Sequence, residues 1–433
     1  MNSKHSGRRR FLKDSALLAG AAAGAATGMI RSASGQETAR ETARETMDWK
    51  VGYQPDVPED LRKYGQPSRY GTLLRTYNPA RRATDDMHTP IQDTMGIITP
   101  SSLHYTVCHG SAVPDIDPRE HRLLIHGMVD RPMIFTMDDL KRFPSVSRIH
   151  FIECAYNGSP PERKDPDATV QRTHGQTSCS EWTGVLLSAL LREAGVQNGA
   201  SWIIGEGAEA KMRAKSIPLE KAMRDAIVAY GQNGEPVRPE QGFPLRLVTP
   251  GYEGPHNVKW LRRIKVGSQP FMAHADNPGH TALRPDGKGR WFQFEMGVNS
   301  VITFPSGGQR LSSRGFHEIT GLAWSGGGAI RRVEVSTDGG RTWKDAVLEG
   351  PIHPIAHTRF RFPWSWSGQE AILQSRATDE RGDVQPSLDQ LGKVWGVKRD
   401  YWLSVRNSVP QFNPIQSWKV TKEGGVGNAI WEA

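Results

Sequence analysis

Three cysteines, Cys108, Cys154 and Cys179, are all that the 433 residues contain. One disulfide at most can form, and one thiol must be left over. No Cys-x-x-Cys-His run occurs, which excludes covalently attached c-type haem, and no paired Cys-x-x-Cys occurs to build a zinc ribbon. Past the first 36 residues no apolar run is long enough to cross a bilayer as a helix, so no membrane span is expected. Strong charge of one sign is also missing. The sequence has 55 Lys and Arg against 46 Asp and Glu, but residues 1–36 carry six of the basic groups and one acid. Without them 49 basic residues face 45 acidic ones, too even a balance to suggest nucleic acid as a partner.

The opening stretch, "SGRRRFLKDSALLAGAAAGAATGM", pairs Arg8 and Arg9 with an Ala- and Gly-rich apolar run. That is the pattern of a twin-arginine (Tat) export signal, with small residues at Ala33-Ser34-Gly35 for cleavage. A disordered basic tail or a membrane anchor are the alternatives, and the run is short and weakly apolar for an anchor. Export to the periplasm with residues 1–36 removed is expected. The Tat route moves folded proteins, which suits a chain that takes up a cofactor beforehand.

Residues 37–95 read as a linker and extended wrapping segment, opening with the tandem "ETARETARET". From 96 to 270 strands and helices mix without regular alternation, which predicts an α+β domain. Its "SRIHFIEC" is a strand delivering Cys154, and Thr136 caps a short helix before Pro144. Thr183 is expected to cap a helix bearing Leu186, Leu187, Leu190 and Leu191, and Leu219, Ala222, Met223, Ala226 and Ile227 predict another reaching Gly231. A Gly/Pro-rich stretch follows. From 285 to 425 short segments such as "RWFQFEM", "SVITFPS" and "TRFRFPWSW" alternate with turns and predict a β-sandwich.

Three constellations carry chemical interest. In "FIECAYNGSPPE" the lone Cys154 ends an apolar strand at a broken loop. A single thiolate suits a soft metal whose other ligands come from a cofactor. It also suits a nucleophile paired with His150 or His174, or an inert core thiol. The second is "GFPLRLVTPGYEGPHNVKWLRRIKVG", where Arg246, His256, Asn257 and Lys259 surround a Gly-rich turn fit to hold a phosphate, or else form a solvated hairpin. The third, "STDGGRTW", matches the Asp-box of propellers but occurs once; a hairpin turning at Asp338-Gly339-Gly340 with Trp343 on the sandwich core accounts for it.

Together and in this order, these features resemble the sulfite oxidase family of molybdenum enzymes. "FIECAYNG" is similar to the family's cysteine loop, "GYEGPHNVKWLRRIKV" to its pterin loop and "VEVSTDGGRTW" to its C-terminal sandwich hairpin. Longer stretches, "HRLLIHGMVDRP" and "THGQTSCSEWTGV" among them, are similar to the molybdenum subunits of sulfane dehydrogenases in thiosulfate oxidation. The resemblance implies a molybdopterin-binding α+β domain followed by an immunoglobulin-like sandwich of the dimerisation type. It implies one molybdenum–molybdopterin with Cys154 as protein ligand, and cofactor contacts at His109, Glu209, Gln241, Arg246, Asn257, Val258 and Lys259. The partners it implies are a c-type cytochrome as electron acceptor, a sulfur-carrier protein as substrate, and a homodimer or heterotetramer. Two departures stand out. Val107-Cys108 replaces the family's arginine before His109, and Gly158-Ser159 replaces the arginines that cage a sulfite dianion. The second departure favours a bulkier sulfane target over free sulfite.

Overall fold

The computed structural model describes residues 73–77, 86–108, 112–209, 214–277, 280–405 and 409–432. The export signal, the 37–46 repeat and His109 lie outside them. Beside a small sheet of Thr76–Tyr77, Asp86–His88 and Thr106–Val107, two larger ones build the first half. In one, Ser145–Glu153 pairs antiparallel with Thr177–Leu186, which pairs with Ile227–Gln232, and that strand also takes Arg246–Val248. In the other, Met133–Phe135, Leu123–Gly127, Leu261–Gly267, Trp202–Gly207 and Ala214–Pro218 lie side by side, with one parallel pair between Leu123–Gly127 and Leu261–Gly267. The helices Leu187–Ala194 and Met137–Arg142 bury Leu187, Leu190, Leu191 and Leu140 between the sheets. Thr136 caps the latter through the Asp139 amide, and Asp139 returns the bond to the Thr136 amide.

Three sequence expectations need correction. Thr183 caps nothing: it lies within the strand Thr177–Leu186, held there by the burial of Trp182, and the helix begins at Leu187 without a side-chain cap. The helix expected through Gly231 stops at Arg224. Ile227–Gln232 is instead a central strand whose apolar Ile227, Val228 and Ala229 are buried on both faces, and their spacing matched a helical period by coincidence. "RWFQFEM" is not a strand. Trp291 stacks on Phe292, Phe292 on Phe294 and Phe294 on Tyr252, so ring packing orders it together with a single antiparallel bridge from Glu295 to Tyr252.

After Leu261–Gly267 the chain becomes nearly all β. Asn299–Phe304, Gly315–Trp324, Thr358–Trp366 and Val347–Glu349 form one sheet, and Lys344–Asp345, Ile330–Ser336, Ala371–Asp379, Ser417–Val420 and Val426–Asn428 form its partner. Trp324, Phe360 and Trp418 fill the core between them, and Phe151 and Cys179 from the first half join the same core. The sequence pattern had not shown the helices Leu388–Trp395 and Arg399–Ser404, which pack Trp395 and Trp402 against Phe412. Trp343 is half-buried under the Arg376 guanidinium, 4.4 Å from the ring centre, and its indole donates to Gly340 at 3.0 Å. No helix among the described residues is long and apolar enough to cross a membrane.

Candidate cofactor site at the cysteine loop

The strand Ser145–Glu153 ends one residue before Cys154. The Cys154 amide donates to Gln176 at 2.9 Å, and its carbonyl accepts from the Asn157 amide at 2.9 Å, which curls the loop back. The Asn157 amide nitrogen donates to Glu153 Oε1 at 2.9 Å and its oxygen accepts from the Gln176 amide at 3.1 Å. A reverse turn here needs Gly158, at φ 66°. From Phe151 to Pro160 only Cys154 and Tyr156 are partly exposed; the rest are buried. None of the three cysteines is in a disulfide, and burial pushes the Cys179 thiol up to about 12, as befits a core residue.

A strap from far along the chain braces this loop. The Gln411 amide donates to the Ala155 carbonyl at 2.7 Å, and Ser159 Oγ donates to the Val409 carbonyl at 2.9 Å. The fully buried Arg163 donates to the carbonyls of Phe412 and Pro414, each at 3.2 Å. Gln411 adopts φ 51°, the left-handed region, and its side chain donates to Glu253 Oε1 at 3.0 Å. Glu253 is buried, which raises its carboxyl to about 7.

Glu253 opens the second constellation. The short 3-10 turn Gly254–His256 backs directly onto the cysteine: a Cβ on Gly254 would sit 2.8 Å from the Glu153 carbonyl, 3.0 Å from the Tyr105 hydroxyl and 3.3 Å from Cys154 Cα. Only glycine allows that approach, so the two motifs, about a hundred residues apart, meet at one point. The Asn257 side chain closes the turn, accepting from the Thr249 amide at 2.8 Å and donating to Glu253 at 3.2 Å. The Val258 side chain goes into the core beside Gly205 and Gly207. Both side chains are thus engaged within the protein, which leaves their backbone for the cofactor contacts that the resemblance implies.

Arg246, Gln241 and Lys259 do come together. Arg246, 3% exposed, donates to the Gln241 and Asn257 carbonyls at 2.9 and 3.2 Å and lies 4.8 Å from the Trp182 ring centre. Gln241 donates to the Tyr105 carbonyl at 2.9 Å. Lys259 donates to the Val107 and Glu240 carbonyls at 3.1 and 3.0 Å and contacts Cys108 Sγ at 3.5 Å. Burial pulls both cations down, Arg246 to about 10. Glu209 is buried close enough for its charge to act on Lys259.

These residues fit an anionic cofactor. Lys259 has the Glu209 and Cys108 charges within reach besides its carbonyls, but buried Arg246 is held by neutral carbonyls, makes no ion pair among the described residues, and its Nε has no acceptor there. A buried charge left so is costly unless an anion arrives. Both ring nitrogens of the fully buried His256, in the same turn, also lack partners among the described residues. Arg246, Lys259 and Gln241 would hold the phosphate and pterin end of a molybdopterin, and Cys154 its metal; when bound, that group supplies two-electron redox chemistry.

Sequence reasoning missed Tyr105, Trp182 and Gln411. Tyr105 joins both halves of the site: its carbonyl accepts from Gln241, its hydroxyl touches the Gly254 turn, and burial first, then the neighbouring Cys154, raises its phenol well above the ordinary range. Its segment matches no motif that would have announced it. Cys108, whose role the sequence left open, is a contact of Lys259.

Comparison with known proteins identifies the domains. Residues 109–275 match the oxidoreductase molybdopterin binding domain and residues 290–409 the Mo-co oxidoreductase dimerisation domain. The crystal structure of the sulfane dehydrogenase SoxCD from Paracoccus pantotrophus superposes with a TM-score of 0.79 at 38% identity, covering 88% of this chain and 96% of that one. NADH nitrate reductase 2 of Phaseolus vulgaris is 34% identical over 74% of this chain and 41% of its own length. The NAD(P)H nitrate reductase of Hordeum vulgare is 33% identical over 84% and 46% respectively. The chain thus spans less than half of these plant relatives. With both domains matched and nearly the whole of a solved relative covered, the chain belongs to the sulfite oxidase family of molybdopterin oxidoreductases.

Proposed function

We propose that this protein is a periplasmic molybdenum dehydrogenase that oxidises reduced sulfur, with sulfane sulfur on a carrier protein as substrate and a c-type cytochrome as electron acceptor. The observation that carries this is the 38% identity over 96% of a sulfane dehydrogenase chain, together with a partly exposed Cys154 at the strand end where a metal ligand is needed. The plant nitrate reductases are matched over less than half their length, which supports a nitrate activity less well. The paired arginines of Tat signals at Arg8-Arg9 support export. This sequence carries no Cys-x-x-Cys-His of its own, which is compatible with a separate c-type cytochrome as acceptor.

Within this function the chain's own residues bind and exclude. Arg246 and Lys259 would grip the cofactor's anionic end, the buried Trp182 and Tyr105 would shield it from water, and Cys154 would hold the metal. The alternative is a metal-free hydrolase or transferase pairing Cys154 with His150; the other histidine, His174, is already engaged, its Nδ1 with Thr173 Oγ1 at 2.9 Å and its Nε2 with Arg163 at 3.2 Å. The test is elemental analysis of the exported protein, then reduction of cytochrome c with sulfite and with thiosulfate plus a thiol carrier. Molybdenum and chain in equal amounts, with carrier-dependent reduction exceeding that with sulfite, is expected; protein devoid of molybdenum excludes the proposal.

A further inference from the structure

Tyr156 and Cys154, two residues apart, are the two partly exposed residues of an otherwise buried loop, so both reach its open side. His280, from the segment after Leu261–Gly267, stacks on the Tyr156 ring with centres 5.3 Å apart and planes 30° apart. The imidazole is fixed. A carbonyl only accepts, so Nδ1 must donate to Ala275 across their 3.1 Å. The segment behind it is pinned in turn: the fully buried Asp276 accepts from the Ser216 amide at 3.0 Å, Ser216 Oγ at 2.6 Å and the Ala273 amide at 3.1 Å, with Lys215 Nζ at 3.6 Å.

Among the described residues, two cations of this region are engaged elsewhere. Arg163, the first arginine after the cysteine, lies under the loop. A Cβ on Gly158 would meet its guanidinium, which is 0% exposed and bonded to the strap carbonyls of Phe412 and Pro414. Lys215 is committed to Asp276. We propose that the stacked Tyr156–His280 pair is the specificity wall of the site, selecting a soft, carbon-tethered sulfane monoanion over the sulfite dianion. A compact dianion needs forked guanidinium donors to offset its desolvation. A polarisable sulfur on an organic tail instead gains from the positive edge of an aromatic ring, and the stack on His280 holds the Tyr156 ring in place for that contact. This rests on the function proposed above and names the residues that choose its substrate.

The experiment compares the holoenzyme with Tyr156→Arg, Tyr156→Phe and His280→Asn. Molybdenum content and the molybdenum(V) paramagnetic signal are recorded first, then kcat/KM for sulfite and for glutathione persulfide with cytochrome c as acceptor. Tyr156→Arg should raise the sulfite-to-persulfide ratio roughly tenfold or more, and His280→Asn should lower kcat/KM for persulfide by a similar factor at unchanged molybdenum content. Tyr156→Phe, which keeps the stack, should leave the ratio near that of the parent. Loaded variants whose ratios do not move overturn this inference alone, whereas a parent protein without molybdenum overturns the proposed function as well.

Discussion

At the scale of single residues, Cys154 and Arg246 would divide the work of holding a cofactor on the proposed function, and their variants should then fail differently. Cys154→Ser removes the soft ligand but leaves Arg246, Lys259 and Gln241 in place. It is expected to retain pterin, measured by fluorescence after denaturation, while losing turnover. Arg246→Lys removes the fork that reaches both the Gln241 and Asn257 carbonyls and the flat contact on Trp182. It should lose pterin, and each charge-assisted hydrogen bond lost should cost about 1.5–3 kcal/mol in chemical denaturation. Equal pterin content in the two variants would show that Arg246 does not grip the cofactor. Both residues were legible in the sequence because each sits in a short motif. Tyr105 and Gln411 were not. They reach the site across 136 residues to Gln241 and 158 to Glu253, and no local pattern encodes such contacts.

At the scale of elements, the site exists where a strand end, a 3-10 turn and a strap converge, and Gly254 is the tightest point. Gly254→Ala would drive a methyl into the Glu153 carbonyl and Cys154 Cα. The expected result is a stability loss of about 1–3 kcal/mol, typical of overpacking, with a fall in molybdenum content. Full loading and an unshifted melting temperature would show that the loop yields without cost. The elements themselves were readable wherever one signal dominated. Thr136 with Asp139 announced its helix through reciprocal capping, and the apolar Phe151-Ile152 announced the strand to Cys154. They were misread where two periods overlapped. Leu219 to Ile227 carries a helical spacing that runs from a real turn of helix into a central strand, and only pairing with both Thr177–Leu186 and Arg246–Val248 decides its state.

At the scale of the whole molecule, the two halves share one core and tie directly at the site, since the Trp324 indole of the sandwich donates to Glu153 Oε2 at 2.7 Å. That degree of burial sets the pH response. Burial lowers His104 and His357 to about 3 and His150 to about 4, and holds His174 and His256 well below their ordinary value of 6.5. Burial also raises Glu153 and Glu253 from 4.5 to about 7. Between these ordinary values the unfolded chain binds a proton on each of five imidazoles that the folded protein leaves neutral. The folded protein binds one on each of two carboxyls that the unfolded chain leaves charged. The unfolded state takes up more protons, so stability must fall as pH drops below about 6.5, by on the order of 1.4 kcal/mol per pH unit for each net proton. The melting temperature at pH 5.5 should therefore lie below that at pH 7.5. Glu253→Gln removes one of the two opposing protons, so its melting temperature should fall more steeply with acid than the parent's. A parallel or shallower curve would mean that the Glu253 carboxyl is already ionised in the folded protein, and that its contact with Gln411 holds the strap as a charged hydrogen bond rather than a neutral one.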